Sequence, residues 1–348
     1  MRRASTTLLF LSMLAGCSGA PVTPATQPAA AVNDILASAA SESSPPVVGG
    51  CQVFPKPGSK PEGQTWWNQD ISKYPLDPKS ATYIRTLGGN LHPDFGHEAY
   101  YGIPFNVVPA TQAKVPVHFL NYPSQSEPGP YPIPPNAQIE GQPLYHSGDR
   151  HVLVLQQGTC ILYELWQGVQ KDGGKYWNAA NGAVFHLDSA KLRPDGWTSA
   201  DAAGLPIFPA LVKCDEVAHG AIDHALRVTF NNTYNGFVHP ATHQAGLSNT
   251  SLPPMGARFR LKARFDISHF NKVSQIILTA MKKYGMFVAD NGSNWYFQGQ
   301  GGREAKCWND NQLDELKNVP GSAFEVVETG PIMHSSVEDR AFLGLSEP

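Results

Sequence analysis

Glu164 and Trp166 stand two residues apart in a run rich in β-formers, and on a strand such a pair projects from one face. A carboxylate beside an indole suits a sugar site, because the ring stacks on a pyranose while the acid works on its oxygens. Tyr176 and Trp177 extend such a surface if they lie nearby. A second group, Asp215, Glu216, His219, Asp223 and His224, places Glu216 and His219 on one helical face. Joined by His146, Asp149 and His151 it could approach a metal, but the spacings match no established ligand motif, so no metal or other cofactor is expected.

A third pattern runs through 256–265. Ala257, Phe259, Leu261 and Ala263 alternate with Arg258, Arg260, Lys262 and Arg264, which puts four cations on one strand face. Such a row repels itself unless anions meet it. Those anions are either carboxylates of a neighbouring strand or the uronates of an acidic polysaccharide, which arginine grips at two points. A fourth feature is the turn Asp290-Asn291-Gly292-Ser293-Asn294-Trp295, a hairpin signal with an indole at its tip. There is no Gly-x-Ser-x-Gly elbow, phosphate loop or dinucleotide fingerprint, which disfavours serine hydrolases, nucleotide enzymes and Rossmann dehydrogenases.

The elements that must hold these residues are mostly short strands. Runs at 151–156 and 160–167 form a hairpin about Gln157-Gly158-Thr159. Further strands are expected at 182–187, 226–231, 257–263, 286–290, 295–298 and 323–328. One helix starts at Asp77-Pro78 and stops at Gly88-Gly89; another covers 272–284 and stops at Gly285. The 32 glycines and 30 prolines favour many turns. Together these predict a mainly-β single domain over 51–348, a β-sandwich or jelly roll with a few short helices, whose segment 51–150 is a proline-rich wrap.

The N-terminus has a different task. Met1-Arg2-Arg3, an apolar run from Leu8 to Leu14 and Leu14-Ala15-Gly16-Cys17 read as a lipoprotein signal with Cys17 as the lipidated residue. Residues 18–50 hold no aromatic residue and almost no charge, cannot bury a core, and are expected to be a tether. The expected location is the cell envelope, at the outer membrane or outside it, with a membrane contact through the lipid. Net charge is −3 and charged residues make up 16% of the chain, so no nucleic-acid partner is expected. Cys51, Cys160, Cys214 and Cys307 imply two disulfides in an oxidising compartment, for which the pairing Cys160 with Cys214 and Cys51 with Cys307 is favoured.

The strings YGIPFNVV, DRHVLVLQQGTCILYELWQ, GLPIFPALVKCDEVAHGAIDHALRVTF, PPMGARFRLKARFDIS and KKYGMFVADNGSNWYF resemble a family of uncharacterised secreted bacterial proteins, over most of residues 66–320. The resemblance implies a shared fold and export; it carries no activity and no functional residue. The residues themselves point to a carbohydrate-active envelope lipoprotein that cleaves a polysaccharide. As a hydrolase it would use Glu164 with Asp215 or Glu216. As a uronate lyase it would use Arg258 and Arg260 against the carboxylate, with His224 or a tyrosine as base. The alternative is a noncatalytic glycan-binding lipoprotein with Trp166, Trp177 and Trp295 on one platform.

Overall fold

Three short strands come first, β1 (Val47–Val48) and β2 (Cys51–Gln52), which pair with each other, and β3 (His92–Asp94); β4 (Phe105–Val108) follows them. Then follow β5 (Val117–Phe119), β6 (Val152–Gln156), β7 (Ile161–Trp166), β8 (Val169–Lys171), β9 (Tyr176–Ala179) and β10 (Asn181–His186). The chain continues with β11 (Leu226–Phe230), β12 (Tyr234–Phe237), β13 (Pro254–Met255), β14 (Arg258–Leu261), β15 (Met286–Asn291), β16 (Tyr296–Gln298) and β17 (Phe324–Val327). The computed structural model describes residues 47–48, 51–52 and 66–335. The signal segment, Cys17 and all of the 18–50 tether except 47–48 lie outside the described residues.

Two sheets carry the architecture: a four-stranded one ordered β10-β7-β6-β4 and a six-stranded one ordered β17-β14-β15-β11-β16-β3. The predicted hairpin is present, with β6 and β7 antiparallel and Val152 opposite Leu165. Its two faces enter two different cores. Val152, Val154, Tyr163 and Leu165 pack with Val117, Trp177 and Ala179 of a three-stranded sheet, β5-β9-β8. Leu153, Leu155 and Leu162 belong to the larger core with Phe208, Val228 and Phe287. A sheet covered on both faces has no solvated side for its polar residues, and this decides the fate of Glu164.

The helices follow their end signals. The Lys272–Lys283 helix is capped by Asn271, whose side chain accepts from Ser274 N at 3.1 Å, and buries Ile276, Ile277 and Ala280. Gly285, at φ 71°, ends it. The Ser80–Leu87 helix stops at Gly88. The fold is thus mainly β, with a few short helices, as the sequence predicts.

Two connections differ from expectation. The Asn291-Gly292 turn does not close a hairpin, because β11 lies between β15 and β16, parallel to the first and antiparallel to the second. The turn carries the chain across the end of β11 and drives Trp295 inward. The bridges are Cys51–Cys160 and Cys214–Cys307, not the favoured pairing. Spacing alone leaves three pairings open, and the packing of distant strands chooses among them. Both bridges place the domain in an oxidising compartment, and no helix among the described residues is long and apolar enough to cross a membrane.

Candidate functional site

The residues singled out in the sequence do not meet in one hollow. Glu164 is fully buried; its carboxylate accepts from Ile207 N at 2.9 and 3.0 Å and from Phe208 N at 2.9 Å. It anchors the start of the Phe208–Ala210 turn, and burial pushes its pKa up to about 7. Trp177 and Trp295 are 1% and 0% exposed, so neither can stack a sugar. Trp177 fills the smaller core, while Trp295 meets the rings of Phe230, Phe259 and Phe324.

The cation row meets protein acceptors. Arg258 donates to the carbonyls of Trp66, Gln69 and Tyr284 at 2.6, 3.2 and 2.7 Å and lies over the Phe287 ring. Arg260 pairs with Glu325, its register partner on β17, at 2.5 Å. Of the second group, Asp215 is exposed and accepts from Glu216 N. Glu216 is closed off between Lys213 Nζ at 3.3 Å and His224 Nε2 at 2.8 Å, which hold its carboxyl below the ordinary value against the effect of burial. These positions correct the catalytic and binding roles expected for Glu164, Glu216, His224, Trp177, Trp295, Arg258 and Arg260: interior packing satisfies each of them.

A different set converges. A cavity of about 190 Å³ is lined by Asp94, Tyr100, Tyr101, Glu140, Tyr145, Asp149 and Arg150 among others. Asp94 ends β3; Glu140 and Asp149 come from the turn-rich segment before β6. The lip is aromatic: Tyr145 is 56% exposed and meets Tyr100 edge-on, and the half-buried Trp166 donates Nε1–H to Asp149 Oδ1 at 3.1 Å. Of the sequence-predicted aromatics, Trp166 alone reaches this place.

Behind the cavity lies a buried ionic network. His151 Nδ1 is 2.6 Å from Glu140 Oε2 and its Nε2 is 3.0 Å from the Ala200 carbonyl. Both partners are acceptors, so both ring nitrogens carry protons and the ring is an imidazolium. Burial opposes that charge, but Glu140 outweighs it and raises the His151 pKa to about 9. Reciprocally, burial raises the Glu140 carboxyl while the His151 charge and hydrogen bonds more than reverse this, leaving it below its ordinary value.

Arg227, on β11, spans the other side. It holds Asp201 Oδ2 at 3.2 Å, donates to Gln298 Oε1 at 2.8 Å, and approaches Asp290 Oδ2 at 4.0 Å. Gln298 Nε2 in turn donates to Asp94 Oδ2 at 3.3 Å across the β16–β3 register. Burial raises the Asp94 pKa, opposed by the Gln298 hydrogen bond and supported by Glu140. Asp290 is also raised, first by burial and then by Asp201. Among the described residues, Asp94 Oδ1, Glu140 Oε1 and Asp149 Oδ2 accept no hydrogen bond, and all three residues line the cavity, so these oxygens are available to a ligand or water. No group of three or more His, Cys, Asp and Glu among the described residues forms a cage for a metal ion.

The sequence pointed weakly toward this site. Arg227 is a lone cation in the apolar run Leu226–Phe230, Asp290 closes the apolar run 286–289, and Asp149 and His151 flank the start of β6. Glu140 and Asp94 had no such signal. No family model, curated protein or solved structure matches the chain.

Proposed function

We propose that this domain is a glycoside hydrolase of the cell envelope, anchored through a lipid on Cys17, with Asp94 as general acid and Glu140 as general base. One observation carries the reading: two carboxylates line the same cavity with pKa values pushed in opposite directions, Asp94 upward by burial and Glu140 downward by His151. Environments that separate two acids in this way assign the proton donor and the proton acceptor. Asp94 keeps a proton for the leaving oxygen, and ionised Glu140, with Oε1 free, draws one from water or serves as the nucleophile. Tyr100, Tyr101 and Tyr145 supply rings for stacking at the entrance.

The hydrolase is favoured over the uronate lyase by the state of the cations. A lyase needs a free cation to neutralise the uronate carboxylate. Arg227 is engaged by Asp201 and Gln298 and His151 by Glu140 and Ala200, whereas Arg150, held through Nε and Nη2 on the neutral Gly168 carbonyl at 3.3 and 3.2 Å, keeps its charge but lines the cavity beside two carboxyls, Glu140 and Asp149. With the Glu140 and Asp149 carboxyls lining the same space, binding of a substrate carboxylate there is disfavoured. The substrate class is therefore a neutral or amine-bearing polysaccharide.

Reducing-end and product-mass assays on neutral, amine-bearing and uronic polysaccharides test this with the disulfide-bonded protein. New reducing ends from neutral or amine-bearing polymers, reduced at least about 100-fold in Asp94→Asn, are expected. Unsaturated products from a uronic polymer, or no product from any polymer, would overturn it.

A further inference from the structure

We infer that Gln298 is a positioning residue that fixes which oxygen of Asp94 faces the cavity and ties that carboxyl to the Arg227–Asp201 pair. Arg227 has only donors, so the Gln298 atom 2.8 Å from its Nη1 must be the carbonyl oxygen. The other end of the amide is then the NH₂ group, and it points at Asp94 Oδ2, 3.3 Å away. Gln298 is 5% exposed, so it has no bulk water to turn toward.

The consequence follows along the chain Asp201, Arg227, Gln298, Asp94. Asp201 Oδ1 accepts from Ala203 N at 3.2 Å, which fixes its Oδ2 on the Arg227 guanidinium. Arg227 fixes the Gln298 carbonyl, and the Gln298 NH₂ occupies Asp94 Oδ2. Oδ1 is left as the oxygen that carries the exchangeable proton toward the cavity. The register makes this a property of the sheet: Gln298 and Asp94 are opposite each other on the parallel pair β16 and β3, and β11 bearing Arg227 is the next strand.

The charged and titratable groups facing Asp94 are Arg227 from β11, Glu140 and Asp149 from the segment before β6, and Tyr101 from the segment after β3. Glu140 and Asp149 disfavour its ionised form, whereas Arg227 and the Gln298 amide favour it. Removing Gln298 therefore takes away a donor that only the ionised carboxylate uses fully. A filler of the same length, methionine, keeps the packing while removing both hydrogen bonds.

The test does not depend on a substrate, so it separates this inference from the hydrolase reading. In the wild-type protein, selectively labelled Gln298 side-chain amide signals are followed by NMR over pH together with the Asp94 carboxyl carbon. The amide signals are expected to shift with the midpoint of Asp94. In Gln298→Met the Asp94 midpoint is expected to rise by about one pH unit. In Gln298→Glu, which sets an acceptor where Asp94 meets a donor, it rises at least as far. Circular dichroism checks that each variant is folded. Amide signals indifferent to the Asp94 titration in the wild type would overturn the inference even if neither variant folds, as would an unmoved midpoint in a folded variant. Loss of glycan cleavage with these titrations intact would count against the hydrolase reading alone.

Discussion

A histidine ring whose two nitrogens both face acceptors has to hold two protons, and at His151 the acceptors are Glu140 and the Ala200 carbonyl. Replacing it with glutamine leaves Glu140 buried beside a neutral amide. Glu140 loses the charge that held its carboxyl down, and burial then drives its titration above the usual carboxylate value. The expected cost of His151→Gln is roughly 3 kcal/mol in urea unfolding, typical of a buried pair broken on one side. A loss within 0.5 kcal/mol, at the scale of an ordinary surface change, would contradict the imidazolium assignment. At this scale the sequence was a poor guide for a definite reason. Residue types and strand alternation told that Glu164, Arg258 and Arg260 share faces with their neighbours. Of the two partners the sequence left open for the cation row, a neighbouring-strand carboxylate is the one Arg260 meets in Glu325, but nothing in residue type told that the Ile207 and Phe208 amides and the Trp66, Gln69 and Tyr284 carbonyls, remote in sequence from their partners, were waiting for Glu164 and Arg258.

Elements were more legible than residues, because helix caps, glycine stops and β-rich runs act over a few residues. The 272–284 helix and the β6–β7 hairpin follow from such signals. What they cannot encode is coverage: alternation puts Glu164 and Trp166 on one face of the hairpin, but both faces are packed, so Glu164 is an interior residue. The Asn291-Gly292 turn is similar, since its local chemistry allows a hairpin but the strand at its side is β11. A glycine at the head of β14 exposes the packing constraint. Gly256 has φ 79°, and a Cβ there would collide with the Val238 carbonyl and Ala241. Gly256→Ala is therefore expected to lose at least about 2 kcal/mol, read as a lower urea midpoint at unchanged m. The disulfides work over longer stretches, closing separations of 109 and 93 residues. Replacing Cys214 and Cys307 together by alanine is expected to cost about 2–5 kcal/mol. An unchanged melting temperature would show that the crosslink adds nothing to the packing around Lys213 and Glu216.

For the whole molecule, the buried ionic groups set how stability depends on pH. Glu164 rises from 4.5 to about 7 and His151 from 6.5 to about 9, so each binds its proton more tightly folded than unfolded. Stability then falls as pH rises between the two values of each group, over roughly pH 4.5–7 for Glu164 and 6.5–9 for His151. Asp94, Asp201 and Asp290, raised by burial, act in the same sense. Glu140 and Glu216 are lowered and act oppositely: their contribution is present above 4.5 and lost as pH falls through their folded values. The melting temperature should therefore peak at about pH 4.5 or just below and drop by on the order of 10 °C toward pH 9 in scanning calorimetry. A curve flat from pH 5 to 9 would mean that these groups are solvated.

The most direct measurement is a carbon-13 NMR titration of the Asp94 and Glu140 carboxyls in the wild-type protein. Two separated midpoints are expected, Asp94 above the unperturbed carboxylate values of about 4 and Glu140 below them. Coincident midpoints in the ordinary range would leave the cavity without an acid and a base, and the proposed hydrolysis without its chemistry.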